Sequence, residues 1–230
     1  MDNIVIGIEG TVGSGKTTMC REMLKVIPNS IFLNGGNMYR AIVYVMMKNL
    51  RNLKELRNKT QNADIKMIMD KLGIEMKIEN RETVFYFRGE KLEEEKLQSN
   101  RASLAVSSVG GIANNEKLFE FARKVIDDLK KEHTIILSGR SIMKIYPETD
   151  YHFFVTADLE ERARRKASQY KTENIKRIKK DIQKRDELQA KAGFYDKSEK
   201  TIEVDVTNCK TPQEAVNLLM THLSVDIANA

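Results

Sequence analysis

Residues Gly10 to Thr17 read Gly-Thr-Val-Gly-Ser-Gly-Lys-Thr and follow directly on the apolar run Ile4-Val5-Ile6-Gly7-Ile8. Those types at that spacing make a phosphate cradle. Glycines at 10, 13 and 15 allow a tight turn whose N–H groups point inward, and a helix opening near Lys16 adds its positive dipole end. Lys16 can then reach the outer phosphates of a nucleoside triphosphate, and the Thr17 hydroxyl can coordinate a bridging magnesium ion. The expected donor contacts are thus Gly10, Thr11, Val12, Gly13, Ser14, Gly15, Lys16, Thr17 and Thr18. Glu9, immediately before the loop, is a second candidate for the metal's water shell, or for the proton of an attacking hydroxyl; its plain alternative is a charge partner for Lys16.

Further cations follow the ends of other apolar runs. Leu33 leads into Asn34-Gly35-Gly36-Asn37-Met38-Tyr39-Arg40, Leu137 into Ser138-Gly139-Arg140, and Val155 into a segment containing Arg162, Arg164 and Arg165. In a doubly wound sheet such strand ends share one rim, beside the phosphate loop. Phosphoryl transfer needs arginines there, because the charge spread over the transferred group must be neutralised in line. No Asn-Lys-x-Asp segment of the guanine-reading type is present. Each cation also has an ordinary reading: Arg40 and Arg140 as rim residues paired with carboxylates, Arg162 and Arg165 as helix-surface charges near Glu160 and Glu161, and Tyr39 as packing. His133, His152 and His222 show no ligand or triad spacing, and Met46 and Met47 read as adaptable packing.

The elements that must position these groups are readable from periodicity. Strands are predicted at 4–8, 30–33, 134–137, 151–155 and 202–204, with helices over 17–26, 38–59, 62–72, 93–108, 114–131 and 212–223. Near-continuous apolar strands alternating with helices predict an α/β fold with a parallel sheet covered on both faces. Residues 74–79 and 83–87 alternate strictly about the Asn80-Arg81-Glu82 turn and predict a hairpin that breaks the alternation. The expectation is one domain over 1–230, with a substrate-binding insertion at about 62–97 and a helical lid at about 158–192.

The 230 residues include three prolines and no glycine- or serine-rich linker, which argues against two domains. No apolar stretch reaches bilayer length and no signal-peptide pattern is present, so a cytoplasmic location, no membrane partner and a monomer are expected. Cys20 and Cys209 lie in no metal-ligand or redox spacing. The net charge of +6, with a pI near 9.1, suits nucleic acid or a small polyanion. Much of the excess lies between Arg162 and Lys184 without the aromatic interleaving that stacks bases, which favours a small polyanion and no nucleic acid.

The chain resembles the bacterial cytidylate kinases, P-loop nucleoside monophosphate kinases. The similarity rests on Gly10 to Thr18, Gly36-x-Met38-Tyr39-Arg40, Phe87-Arg88-Gly89-Glu90, Gly139-Arg140, Glu160-Glu161-Arg162-Ala163-x-Arg165, Lys184-Arg185-Asp186 and Val204 to Val216, nearly end to end. The resemblance implies a three-layer P-loop kinase fold that uses ATP and magnesium to phosphorylate CMP or dCMP. It implies an acceptor set of Gly36, Tyr39, Arg40, Arg140, Arg185 and Asp186, and a catalytic set of Lys16, Arg140 and the lid residues Arg162 and Arg165. The chain departs from the family at Asn34 and Gly35, where aspartate and a hydroxyl residue are usual. It departs again at Ser141, Gln189 and Ala192, where aspartate, aspartate and arginine are usual. Those family positions read the base and sugar, so phosphotransfer is expected with altered acceptor reading. Ile8-Glu9-Gly10 with the loop also resembles the nucleoside kinases. A kinase of a nucleoside or another small molecule, or a nucleotide-binding regulator without turnover, are the alternatives.

Overall fold

The computed structural model describes residues 2–49, 64–97 and 116–223. In chain order the elements are β1 (Val5–Gly10), α1 (Lys16–Val26), β2 (Ser30–Asn34), α2 (Gly35–Asn49), α3 (Ile65–Leu72), β3 (Ile74–Glu79), β4 (Glu82–Phe87), β5 (Glu90–Lys91) and α4 (Glu94–Leu97). There follow α5 (Glu116–Lys130), β6 (Thr134–Ser138), α6 (Ile142–Ile145), β7 (Tyr151–Thr156), α7 (Leu159–Gln169), α8 (Ile175–Lys191), β8 (Thr201–Asp205) and α9 (Pro212–Met220). The expected continuation of the second helix to 59, and of the segment from 93 to 108, runs outside the described residues.

The strands form one sheet in the order β3-β4-β2-β6-β1-β7-β8, with β5 added on β4. From β2 to β8 every neighbour is parallel, in the registers Ile31↔Ile135, Ile6↔Ile136, Ile8↔Phe153 and Val155↔Val204. The period of two sorts the side chains. Ile6, Ile8, Phe32, Ile136, Phe153 and Val155 meet α1 and α9 on one face, while Val5, Ile31, Leu33, Ile135 and Leu137 meet α5 and α6 on the other. Both faces are buried, as the unbroken apolar strands predict.

Two local outcomes differ from the pattern. The Gly35-Gly36 pair reads as a break, yet α2 begins at Gly35, because the Asn34 side chain accepts the Asn37 N–H (3.0 Å) and caps the first turn. The 74–87 hairpin joins the main sheet. Phe32 pairs with Glu82 in parallel, the Phe32 N–H donates to Arg81 O (2.7 Å), and the Asn34 N–H donates to Thr83 Oγ1 (3.0 Å). Its other side packs with α2 and α3 through Ile74, Phe85, Ile42 and Met69.

Helices α7 and α8 pack together on the phosphate loop, with Ala163, Ala167, Ile178 and Ile182 closing over Val12. No helix among the described residues is long and apolar enough to cross a membrane.

Candidate active site

The loop after β1 has a backbone at positive φ at Gly10, Gly13 and Gly15. Gly10 has φ 142°, and a Cβ there would stand 2.0 Å from the Val155 carbonyl of the neighbouring strand. Gly15 has φ 95° and forms the N-cap of α1 with no side-chain cap, and a Cβ there would meet nothing within 4 Å. The first turn of α1 holds no acidic residue. Its N–H groups and dipole end therefore face open space suited to an anion. The Thr11 N–H donates to Val155 O (3.1 Å) and Ser14 Oγ to Thr11 O (3.0 Å), which fixes the loop. Lys16 Nζ donates to Gly10 O (2.9 Å) and Thr11 O (2.7 Å), so the ammonium lies over the cradle.

The loop opens into a cleft of about 1130 Å³. Single-ligand clefts usually measure roughly 300–1,000 Å³, so this one lies just above that range. Lys16, Arg40, Arg140, Arg165, Lys166 and Arg185 all line it. Burial, and then Arg140, Lys166 and Arg185, pull the Lys16 ammonium from 10.5 down to about 7, against an upward pull from Asp186. Burial with Arg140 and Arg185 lowers Arg40 to about 10, and burial with Arg185 does the same for Arg140. Burial with Arg185 and Arg40 brings Lys166 to about 8. Neither Arg140 nor Arg185 has a carboxylate partner among the described residues, and the Nε atoms of Arg40 and Arg185 are buried without acceptors. Cations compressed in this way mark a candidate site for an anionic ligand.

A pH dependence follows from Lys16. The unfolded chain holds that proton up to about 10.5 while the folded chain releases it near 7. Between those values the unfolded state binds more protons, so this lysine's cost to stability is full below pH 7 and is relieved as pH rises toward 10.5. A bound polyphosphate is expected to restore the proton. Titration calorimetry with ATP near pH 8, in two buffers of different ionisation enthalpy, is expected to show net uptake approaching about one proton, shrinking near pH 6. Equal heats in both buffers near pH 8 would show that Lys16 is already charged in the free protein.

The other expected site residues divide into two groups. Gly10, Val12, Gly13, Ser14, Gly15, Thr17 and Thr18 line the cleft, as do Gly36 and Tyr39. The Tyr39 hydroxyl is pushed upward by burial and stays a neutral donor. Arg165 is on the wall, but its guanidinium is bound to Glu161 (2.8 Å), Val206 O (2.9 Å) and Ser14 O (3.4 Å). Thr11 stands behind the loop with a buried, unpartnered hydroxyl.

Arg162, Asp186 and Glu9 are turned elsewhere. Arg162 is buried and donates to Ala157 O (2.8 Å), Val12 O (3.0 Å) and the Asp186 carboxylate. Asp186 also accepts from the Val12 N–H (3.1 Å) and the Tyr195 hydroxyl. In place of the expected contacts with phosphate and acceptor, these two residues splint α7 and α8 to the phosphate loop. Their charges already satisfy each other, which leaves neither available to a ligand in this arrangement. Glu9 is also buried, and its carboxylate accepts the Ile142 N–H at the start of α6 and lies 3.8 Å from His152 Nε2. It does not line the cleft, and Thr17 is the expected metal ligand that does.

The divergent positions have local accounts. Asn34 caps α2, as an aspartate would. Ser141 sits at φ 55° with a buried hydroxyl lacking a partner, and Glu9 takes over the capping of α6. Gln189 is buried on the cleft wall with its amide nitrogen unpartnered. Sequence reasoning missed Lys166, Phe194 and Tyr195. Lys166 follows Arg165 directly, but no motif singles it out; the signal was there only in the density of charge on α7.

The cytidylate kinase family model matches residues 6–224. The chain is similar to a cytidylate kinase of Clostridioides difficile (strain 630), 28% identical over 98% of this chain and all of that one. It is likewise similar to a cytidylate kinase of Fusobacterium nucleatum subsp. nucleatum, 28% identical over 95% of this chain and 96% of the other. Among solved structures, thymidylate kinase from Candida albicans superposes with a TM-score of 0.41 and 16% identity, covering 99% of this chain and 93% of that one. With its family model matched from the second residue of β1 to beyond α9, the chain belongs to the cytidylate kinase family.

Proposed function

We propose that the protein transfers the γ-phosphoryl group of ATP to the phosphate of a nucleoside monophosphate, CMP or dCMP, giving the diphosphate and ADP. The observation that carries this reading is the gathering of Lys16, Arg140 and Arg185, which have no carboxylate partner among the described residues, with Arg40 and Lys166 in one cleft of about 1130 Å³. In this reading Lys16 and the N–H groups of the loop and α1 hold the donor phosphates. Arg40, Arg140 and Arg185 hold the acceptor phosphate, and Lys166 reaches in from the lid. Such positioning and charge neutralisation supply most of what phosphoryl transfer needs.

The donor set fits magnesium brought by the nucleotide, with the Thr17 hydroxyl as its protein ligand; among the described residues no group of three or more His, Cys, Asp or Glu could hold a metal alone. When bound, the ion adds positive charge between the phosphates. The attacking atom of a monophosphate is already an anionic oxygen and needs no base. A nucleoside hydroxyl does need one, and Glu9, the expected base, is engaged with Ile142 and His152 away from the cleft. That favours a monophosphate acceptor over a nucleoside. The reading includes a cytoplasmic, monomeric enzyme with nucleotides as its partners.

Acceptor-dependent release of ADP, measured across nucleosides and their monophosphates, tests the proposal; turnover with CMP or dCMP is expected. Turnover only with nucleosides would move the protein to the rival kinase class, and ATP binding without turnover to a regulator. The altered acceptor positions predict a CMP preference over UMP smaller than in a relative bearing the aspartates. Charged hydrogen bonds contribute about 1.5–3 kcal/mol against about 1 for neutral ones, so each lost carboxylate costs about tenfold in discrimination. Ser141→Asp with Gln189→Asp is expected to sharpen the preference for cytosine by that order. Strong CMP selectivity in the unaltered chain would mean that other residues read the base.

A further inference from the structure

The short segment after α8 places consecutive aromatic side chains against Arg140 and against Asp186. Gly193, at φ 72°, turns the chain out of the helix, and its N–H donates to Ala190 O (3.0 Å) while the Phe194 N–H donates to Gln189 O (3.0 Å). Phe194 is 5% exposed, and its ring carries the Arg140 guanidinium at 5.2 Å from the centroid. The next residue has other partners, although its hydroxyl lies near enough to Arg140 for the two to interact electrostatically. The Tyr195 ring packs edge-on against Phe154 of β7 at 5.5 Å, and its hydroxyl donates to the Asp186 carboxylate. Asp186 in turn accepts the N–H of Val12 in the phosphate loop (3.1 Å) and holds Arg162.

We propose that Phe194 and Tyr195 are paired positioning residues, Phe194 aiming Arg140 at the acceptor phosphate and Tyr195 holding the phosphate loop through Asp186. The proposal rests on the kinase reading above. Arg140 has no carboxylate partner among the described residues, so the aromatic face is what orients its planar cation while leaving the N–H edge open to a ligand. Asp186 could rotate with only Val12 and Arg162 on it; a third donor, anchored by its ring to the sheet, fixes the carboxylate and with it the amide of Val12. Two adjacent residues on one turn thus set the relative placement of donor and acceptor groups, which an in-line transfer requires to a fraction of an ångström.

The two halves separate kinetically. Phe194→Leu keeps the apolar volume but removes the ring face, and is expected to raise the acceptor KM about 3- to 30-fold with the ATP KM within about twofold. Phe194→Tyr keeps the face and is expected to stay within about threefold of the unaltered protein in both constants. Tyr195→Phe removes one donor from Asp186 and is expected to raise the ATP KM about 3- to 10-fold with the acceptor KM little changed. Melting temperatures of all three are recorded alongside. If Phe194→Leu leaves the acceptor KM within twofold, or if it raises both constants together with a fall in melting temperature that Phe194→Tyr shares, the positioning role is overturned. The same holds if Tyr195→Phe leaves the ATP KM unchanged. Absence of monophosphate turnover in the unaltered protein would instead overturn the kinase reading, so the two failures are distinguishable.

Discussion

Lys16→Ala is expected to lower kcat by at least about 10²–10³-fold, the loss seen when a single charge-stabilising donor is removed from a transition state. The fold is expected to survive. Lys16 is half-buried and contributes nothing apolar to the core clusters, and its depressed ammonium is already opposed by Arg140, Lys166 and Arg185. Removing a cation from that crowd relieves repulsion, so the melting temperature at pH 7 should be equal or higher. Coupled measurement of ADP release with thermal unfolding checks both halves. Normal turnover, or a collapse in melting temperature, would contradict the assignment of Lys16 to the donor phosphates.

Arg140→Ala is expected to lower kcat/KM for the acceptor by about 10²–10³-fold while ATP affinity, measured alone, stays the same or tightens. A desolvated charge meeting an ionic ligand accounts for roughly 2–5 kcal/mol, which converts to that range. The second half follows from electrostatics. Arg140 is the strongest charge after burial in lowering Lys16, so its removal raises the lysine's pKa and leaves more of it charged near pH 8. Proton uptake on ATP binding should shrink in the variant for the same reason. An equal loss of ATP affinity would move Arg140 to the donor side of the cleft.

The phosphate loop was legible because its glycines, lysine and threonine stand between a strand and a helix, a local arrangement that needs no distant partner. The hairpin was legible for a similar reason, since strict alternation has one meaning. Its attachment to β2 was not, because it depends on one ladder pair and on the Thr83 hydroxyl, about 50 residues away in sequence. Asn34 shows how one side chain overrides a composition rule, turning two glycines from a break into the first turn of α2. Arg162 and Asp186 read as ligand-binding charges because nothing in the chain reveals that residues 24 apart neutralise each other once α7 and α8 pack. The direction of Glu9 was available in principle. It shares strand parity with Val5, which packs toward α5 and α6, so its side chain belongs on that face.

The position of β1 has a consequence for how this enzyme can change over generations. It lies between β6 and β7, paired on both sides, and the loop it carries is splinted by Arg162 and Asp186. A substitution there disturbs a strand that is buried along its whole length and paired on both sides. The 74–87 hairpin meets the sheet through the Phe32–Glu82 pair and packs Ile74 and Phe85 on α2 and α3, while Ser141 and Gln189 are buried with spare polar atoms and Gln189 faces the cleft. The spare Ser141 hydroxyl and Gln189 amide nitrogen are atoms whose replacement gives up no hydrogen bond. On the proposed kinase reading, the molecule that receives the phosphate can therefore be revised at such positions while the loop that delivers it is held in place by its neighbours.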